Sequence, residues 1–374
     1  MKRVMMAVAS LTVGLGLFAD DLVFNVRDFG AKGDGKTSDV DACRRAIAAA
    51  KDVSGTVYFP AGRYLVHDLK LPAGISLTAD PKWCFRADLQ GAVLQLDDPK
   101  ARCVLDITGA YGVRLKGLVI NGLPVTERPV HGILLDNPVK YSPKEDSPVI
   151  EDVKVQNFTG DGIRLNRVWC FFIRHSMSAF NGGNGVYLRG WDGFVVDNQF
   201  SGNKGHGFVA DKQGSTVMFT SNRIEWNRRC GLAVTPDWGN SWNITGNAFD
   251  RNYRTNLLLE NIQGSTVVGN LFRRAGREPD DGMPAGDVTC QVKMKTCRGV
   301  SVTGNTCEAG RDDNDVGKFT PEAGFIVEGL EYCTIRGNTL YHGYLKVPFV
   351  DRGGHTGSTI ADNPAKPLPL PETR

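Results

Sequence analysis

From about residue 150 the chain repeats one alternation of apolar and polar positions: apolar-x-apolar-x-x-Asn-x-apolar, a polar turn, then Gly-apolar-x-apolar. The copies FVVDNQF, VMFTSNRIE, NITGNAF, TVVGNLF, SVTGNTC and CTIRGNTL put Asn198, Asn222, Asn247, Asn270, Asn305 and Asn338 in one column, at steps of 24, 25, 23, 35 and 33 residues. His175, 23 residues before Asn198, is expected in the same slot. Asn181, Asn203, Asn227 and Asn252 form a second column in the following turn. Gly162, Gly185, Gly207 and Gly231, with Asn256 in the same slot, open the next strand.

Strands of four to six residues with period two turn one side chain row inward. A unit this short cannot bury that row alone, so successive units must stack. Asparagine tolerates left-handed backbone and stacks its amides into a hydrogen-bonded ladder. The expectation is an all-β parallel β-helix, with rungs about 4.8 Å apart.

An open first rung needs cover. SDVDACRRAIAAAK (38–51) supplies it as a helix: Ser38 is the expected N-cap, Val40, Cys43, Ile47 and Ala50 form an apolar stripe, and Gly55 follows the end. The tail NPAKPLPLPETR is too proline-rich to read as a strand. Trp169, Trp191, Trp238 and Trp242 are expected to pack under the turns of one corner.

Composition narrows the class. Lys and Arg total 44 against 41 Asp and Glu, a net charge of +3, too balanced for a nucleic-acid binder. Lys2 and Arg3, an apolar run from Val4 to about Leu17 and small Ala19 read as a secretory leader over 1–19, short for a membrane span, with an uncleaved anchor as the alternative. The expectation is a secreted, periplasmic or cell-surface protein with no span in the mature chain. The β-helix domain then covers 20–360, with its cap at about 24–66 and regular rungs at about 100–345, and a proline-rich tail over 361–374. The 9 cysteines show no metal-ligand spacing; Cys307 and Cys333 are expected to point inward as buried thiols, with a disulfide as the alternative.

The segment FNVRDFGAKGDGKTSDVDACRRAIAAAKDVSGTVYFPAGRYLV (24–66) resembles the N-terminal signature of the rhamnogalacturonase and polygalacturonase-like branch of the pectate lyase superfamily. The resemblance implies a right-handed parallel β-helix acting on extracellular polysaccharide. Polygalacturonases carry NTD, DD, GHG and RIK motifs on successive rungs. The matching places here read Thr159-Gly160-Asp161, Gly183-Asn184 and Gly205-His206-Gly207, with Arg223-Ile224-Glu225 a partial echo of the last. The paired carboxylate is missing, although an inverting hydrolase needs both an acid and a base.

The residue before each strand glycine forms a further column: His131, Asp161, Asn184 and His206. One face should bring them into a polar row, with Asp161 raising the pKa of His131 and holding its tautomer for acid–base work. The competing reading is turn chemistry, since Asp, Asn and His are the non-glycine residues most at ease in left-handed backbone. Long turns at 122–130, 271–286 and 306–322 would wall this floor. Arg164 and Tyr187 fall in the outward slot of the next strand, where a cation and a base suit elimination from a uronic acid. Phe180, Gly202, Trp226 and Arg251 precede the second asparagine column; Trp226 is placed either to stack on a sugar or to pack on the adjacent turn, and Arg251 and Arg229 to meet carboxylates. Asp280, Asp281, Asp312, Asp313 and Asp315 lie in acidic loops without an EF-hand pattern, so no cofactor is expected and calcium is the one candidate ion. Solvated loop acids are the simpler account, with one of them reaching the cleft as the alternative.

The first functional expectation is hydrolysis of an acidic, pectin-like polysaccharide, with Asp161 as carboxylate and His131 and His206 handling protons. A lyase or epimerase using Arg164 with Tyr187 or a histidine is the alternative within enzymes. A non-catalytic carbohydrate-binding or structural β-helix is the alternative outside them.

Overall fold

The computed structural model describes residues 22–85, 90–137, 143–278, 280, 288–308 and 319–369. The leader-like 1–19 and the acidic residues Asp281, Asp312, Asp313 and Asp315 lie outside them. Each coil of the solenoid contributes three strands, one to each face, and every strand pairing is parallel. The first face includes Arg114–Lys116, Val149–Glu151 and Ser301–Thr303. The second includes Met177–Ala179, Gln199–Ser201 and Arg223–Glu225. The third includes His131–Asp136, Leu257–Glu260 and Cys290–Lys295. In the middle coils Ile163–Arg174, Val186–Val196 and Phe208–Thr220 run on from the third face to the first. Among the described residues those two faces therefore join as one 22-stranded sheet, and the second face remains a separate 13-stranded sheet.

In-line register keeps like positions together. Ile163, Val186, Phe208, Leu232, Leu257, Val292 and Phe325 stack in successive rungs, all buried inside the coil. Each such side chain contributes about 1.5–3 kcal/mol on burial. The strand glycines are required by space rather than by backbone angle. A Cβ at Gly207 would sit 2.7 Å from the Gly231 carbonyl oxygen of the next rung, and one at Gly185 would sit 2.4 Å from that of Gly207.

Both asparagine ladders form. In the first, side-chain amides donate down the column from Asn198 to Asn222 (3.0 Å), then to Asn247 (3.0 Å), Asn270 (2.9 Å), Asn305 (2.9 Å) and Asn338 (2.8 Å). Asn338 continues to Asn363 at 2.9 Å, one rung further than the sequence pattern indicated. At the other end Ser176, not His175, takes the slot: its backbone N–H donates to Asn198 Oδ1 (3.0 Å), while His175 pairs outside with Asp197. In the second ladder Asn181, Asn203, Asn227 and Asn252 are linked at 2.9–3.0 Å.

The covering helix runs Val40–Lys51 with Val40, Cys43, Ile47 and Ala50 buried. Ser38 ends a strand instead of capping it; Asp39 stands at the N-cap, and its carboxylate accepts the N–H groups of Lys32 and Gly33. The tail also departs from expectation. Ala365–Lys366 pairs with Leu340 and Tyr341, because the prolines flank this short stretch and leave its ladder bonds intact. Of the tryptophans, Trp242 is buried and donates to the Gly214 carbonyl (2.9 Å), whereas Trp238 is exposed. All 9 cysteines are free thiols, Cys307 and Cys333 among the buried ones.

Candidate active site

The third face carries the chemistry. His131, Asp161, Asn184 and His206 do fall in one row, on successive rungs, and neighbours are joined through side chain and backbone. The Asp161 N–H donates to His131 Nδ1, the Asn184 N–H to Asp161 Oδ1, and the His206 N–H to Asn184 Oδ1, each at 2.9 Å. None of the four has a positive φ, so left-handed turn chemistry does not explain them. His131, Asp161 and Asn184 thus each satisfy a backbone N–H of the next rung.

Asp161 is saturated by these contacts. Oδ1 also accepts the Asn184 amide (2.8 Å), and Oδ2 accepts from Arg164 Nη1 (2.8 Å). Its side chain is 7% exposed, against 29% for Arg164. Asp161 therefore holds Arg164 and Asn184 in place. The guanidinium of Arg164 lies 4.0 Å over the Tyr187 ring, one rung on, a cation–π stack. The Tyr187 hydroxyl donates toward Asp211 Oδ2 at 3.4 Å. Burial, and then Asp211, push the Tyr187 phenol up, against the opposing pull of Arg164, so it is neutral at neutral pH.

His131 departs from its expected electrostatics. Burial dominates and lowers its pKa, outweighing Asp161, whose carboxylate is 3.7 Å from Nδ1. The Asp161 backbone, not its carboxylate, sets the tautomer: Nδ1 is an acceptor, so the neutral ring carries its proton on Nε2.

Further along the face, His206 and Arg229 line a cavity of about 360 Å³ with Cys230, Asp280 and Lys293. Asp280 reaches this cleft from its loop and is not a solvated acid. It accepts from the Thr255 N–H (3.2 Å) and hydroxyl (2.8 Å) and lies 3.8 Å from Lys293 Nζ. Burial and then Asp280 raise the Cys230 and Cys290 thiols, which stay protonated.

Trp226 and Arg251 stand apart from the row, at the corner between the second and third faces. Arg251 pairs with its own neighbour Asp250 (2.5 Å) and covers the Trp226 ring at 4.8 Å. Arg223–Glu225 is a strand of the second face, so its partial motif match is not part of the site. Asp211 was missed by sequence reading; its signal was the outward alternation Val209, Asp211 after Gly207. Among the described residues, no cluster of three or more His, Cys, Asp or Glu could hold a metal ion.

The architecture defines a class: a parallel β-helix solenoid with a polar row on one outer face. Residues 23–96 match the family described as rhamnogalacturonase A/epimerase, pectate lyase-like, and residues 129–272 match the right-handed β-helix region. The chain belongs to the pectate lyase-like superfamily of right-handed parallel β-helix proteins. Among curated proteins it is similar to mannuronan C5-epimerase AlgE3 of Azotobacter vinelandii, 29% identical over 56% of this chain and 12% of that protein. It is also similar to alginate lyase 7 of the same organism, 32% identical over 50% of this chain and 23% of that protein. The chain thus spans less than a quarter of either relative. Among solved structures, the A-module of the Azotobacter mannuronan C-5 epimerase AlgE4 has a TM-score of 0.58 at 19% identity, covering 90% of this chain and 99% of that one. The Streptococcus pneumoniae surface adhesin PfbA reaches 0.64 at 13% identity, covering 90% and 93%. These likenesses show the fold, which carries enzymes and an adhesin alike.

Proposed function

We propose that this protein acts on a uronic-acid polysaccharide by removing the proton at C5, as an epimerase or lyase. The observation that carries the reading is the Arg164 guanidinium held by Asp161 and stacked on Tyr187. Arg164 pairs with the sugar carboxylate and so acidifies the adjacent C5–H. Tyr187 takes that proton while its own phenolic proton passes to Asp211. His131, neutral and protonated on Nε2, donates a hydrogen bond to the substrate. Asp161 is a positioning residue. In a lyase the C4–O bond then breaks, Tyr187 gives a proton to the leaving oxygen and Asp211 returns the phenolic proton to Tyr187; in an epimerase water on the opposite face protonates C5, and the hydroxide so formed takes the proton held by Asp211.

The geometry favours this over hydrolysis. The strand positions of Asp136 and Asp211 lie five residues along from the row, a backbone separation of about 16 Å, and the Asp211 carboxylate reaches back only to the Tyr187 hydroxyl. Asp280 contacts Cys230, three rungs from Asp161 and about 14 Å on. A hydrolytic pair stands roughly 5–9.5 Å apart. The names of the relatives, epimerase and lyase, support the same choice.

The test is incubation with polymannuronate and polygalacturonate in D₂O. Deuterium at C5, or an unsaturated end absorbing in the ultraviolet, is the expected result. New reducing ends with neither would overturn the mechanism.

A further inference from the structure

The corner between the third and first faces carries tryptophans that the proposed reaction does not use. Trp169 and Trp191 share one column on successive rungs, with ring centroids 6.5 Å apart. The next rung puts Ser215 in that column. Asn240 follows, and its backbone N–H donates to Ser215 Oγ at 3.3 Å. The step from indole to these smaller side chains leaves a cleft of about 430 Å³ beside Trp191, bordered also by Gln213, Thr216 and Trp238. That volume is ordinary for a small-ligand site.

Trp238 reaches the cleft through a bulge. Lys212 pairs with Pro236 and Gln213 with Trp238, so Asp237 is an extra residue in its strand. Alternation breaks there, and Asp237 and Trp238 are both exposed. Trp238 is 51% exposed and lies outside the hydrophobic core. Among the described residues its indole takes part in no ring stacking, cation–π contact or side-chain hydrogen bond. Trp226 differs, since Arg251 covers it and Phe319 meets its ring edge-on at 5.8 Å.

The lining selects the ligand. The cleft beside Trp191 is bordered by amides and hydroxyls, with no charged side chain among them. Such groups both donate and accept, as sugar hydroxyls do, and indole faces suit the apolar face of a sugar ring. The Asn240 side-chain amide bonds to none of the described residues. A second cleft of about 340 Å³ lies against Trp238 and is lined by Asp237, Asn261, Gln263 and Arg298. Its guanidinium is already paired with Glu331 at 2.7 Å, so the Asp237 carboxylate leaves this side unsuited to an acidic polymer.

We infer that Trp238 and Trp191, with Asn240 and Gln213, form a binding site for a neutral saccharide. Trp191 stands four residues along its strand from Tyr187, a backbone separation of about 13 Å. The site therefore lies apart from the row that carries the proposed reaction. Binding here needs no turnover, so it stands or falls separately from that reaction.

The test uses the full chain with a mixed-linkage glucan, a galactomannan and an arabinan, and polygalacturonate as the acidic comparison. Affinity electrophoresis and tryptophan fluorescence read the binding. The expected result is that at least one neutral polymer binds, and that Trp238→Ala weakens it by about 10-fold or more with melting temperature unchanged. Asn240→Ala, which keeps the backbone N–H to Ser215, should show a smaller loss, and Tyr187→Phe should bind as wild type does. Wild type binding none of the three, or Trp238→Ala binding undiminished, would overturn the site. So would polygalacturonate binding that Trp238→Ala abolishes, which gives the cleft to an acidic strand. A wild-type dimer that Trp238→Ala dissociates would make the surface a self-interface instead.

Discussion

The Asp161 backbone N–H donates to Nδ1 of His131 across one rung, at 2.9 Å. A backbone donor cannot be withdrawn without shifting the rung, so the imidazole is tied to one tautomer. Protonation at Nδ1 would set two donors against each other, which reinforces the effect of burial. Nitrogen NMR should therefore show His131 as the Nε2–H form, titrating below the ordinary value of about 6.5. A Nδ1–H signal would break the assignment.

The same bond has a sign in stability. The folded pKa of His131 lies below the unfolded one, so between the two values the unfolded chain binds more protons and stability rises with pH. The contribution is complete above about pH 6.5 and is lost as pH falls below it. His175 acts in the opposite direction through its bond to Asp197, but that pair is largely exposed and screened. Urea unfolding at pH 7.5 and 5.5 checks this: wild type should lose more stability on acidification than His131→Asn, which keeps an acceptor for the Asp161 N–H.

Tyr187→Phe removes the phenolic proton and leaves the ring beneath Arg164. Turnover should fall by about 10²–10⁴-fold, with circular dichroism unchanged. Near-normal turnover would remove Tyr187 from the reaction.

Asp161→Asn retains an acceptor for Asn184 and loses the charge that holds Arg164. Stability should drop by about 1–2 kcal/mol, discounted because Arg164 is partly exposed. Turnover should fall roughly 10–100-fold through displacement of the guanidinium. Direct acid–base catalysis by Asp161 would produce a larger loss, and the same pH–rate profile should persist if it only positions.

Asn227→Ala interrupts the second ladder where four bonds meet: it accepts the Asn203 N–H and amide and donates to Asn252 and to the Phe200 carbonyl. These buried groups would be left without partners, so a loss of about 2–4 kcal/mol is expected by chemical denaturation. A loss below about 1 kcal/mol would show that the ladder is dispensable there.

Much of the fold was legible because asparagine and glycine carry position-specific chemistry. Asn222, Asn247 and Gly207 could be placed by spacing alone, and so could the row from His131 to His206. Ser176 was missed because a hydroxyl serves the same N–H as an amide, which identity-based reading cannot see. The pKa of His131 was misjudged because sequence shows the neighbouring carboxylate but not the burial that outweighs it. Trp226 and Arg251 were assigned to the floor because sequence shows periodicity without showing which side of a corner a slot occupies. For Asp280 the sequence left two readings open, solvated or in the cleft, because nothing in a loop's composition says that it folds back onto Thr255.

Asn247 and Asn270 are 23 residues apart and Asn270 and Asn305 are 35 apart, yet both pairs bond at 2.9 Å. Chain length between rungs is thus independent of rung alignment. The corner that bears the long excursions can exchange them as cassettes, and specificity can be re-engineered there by grafting without rebuilding the spine.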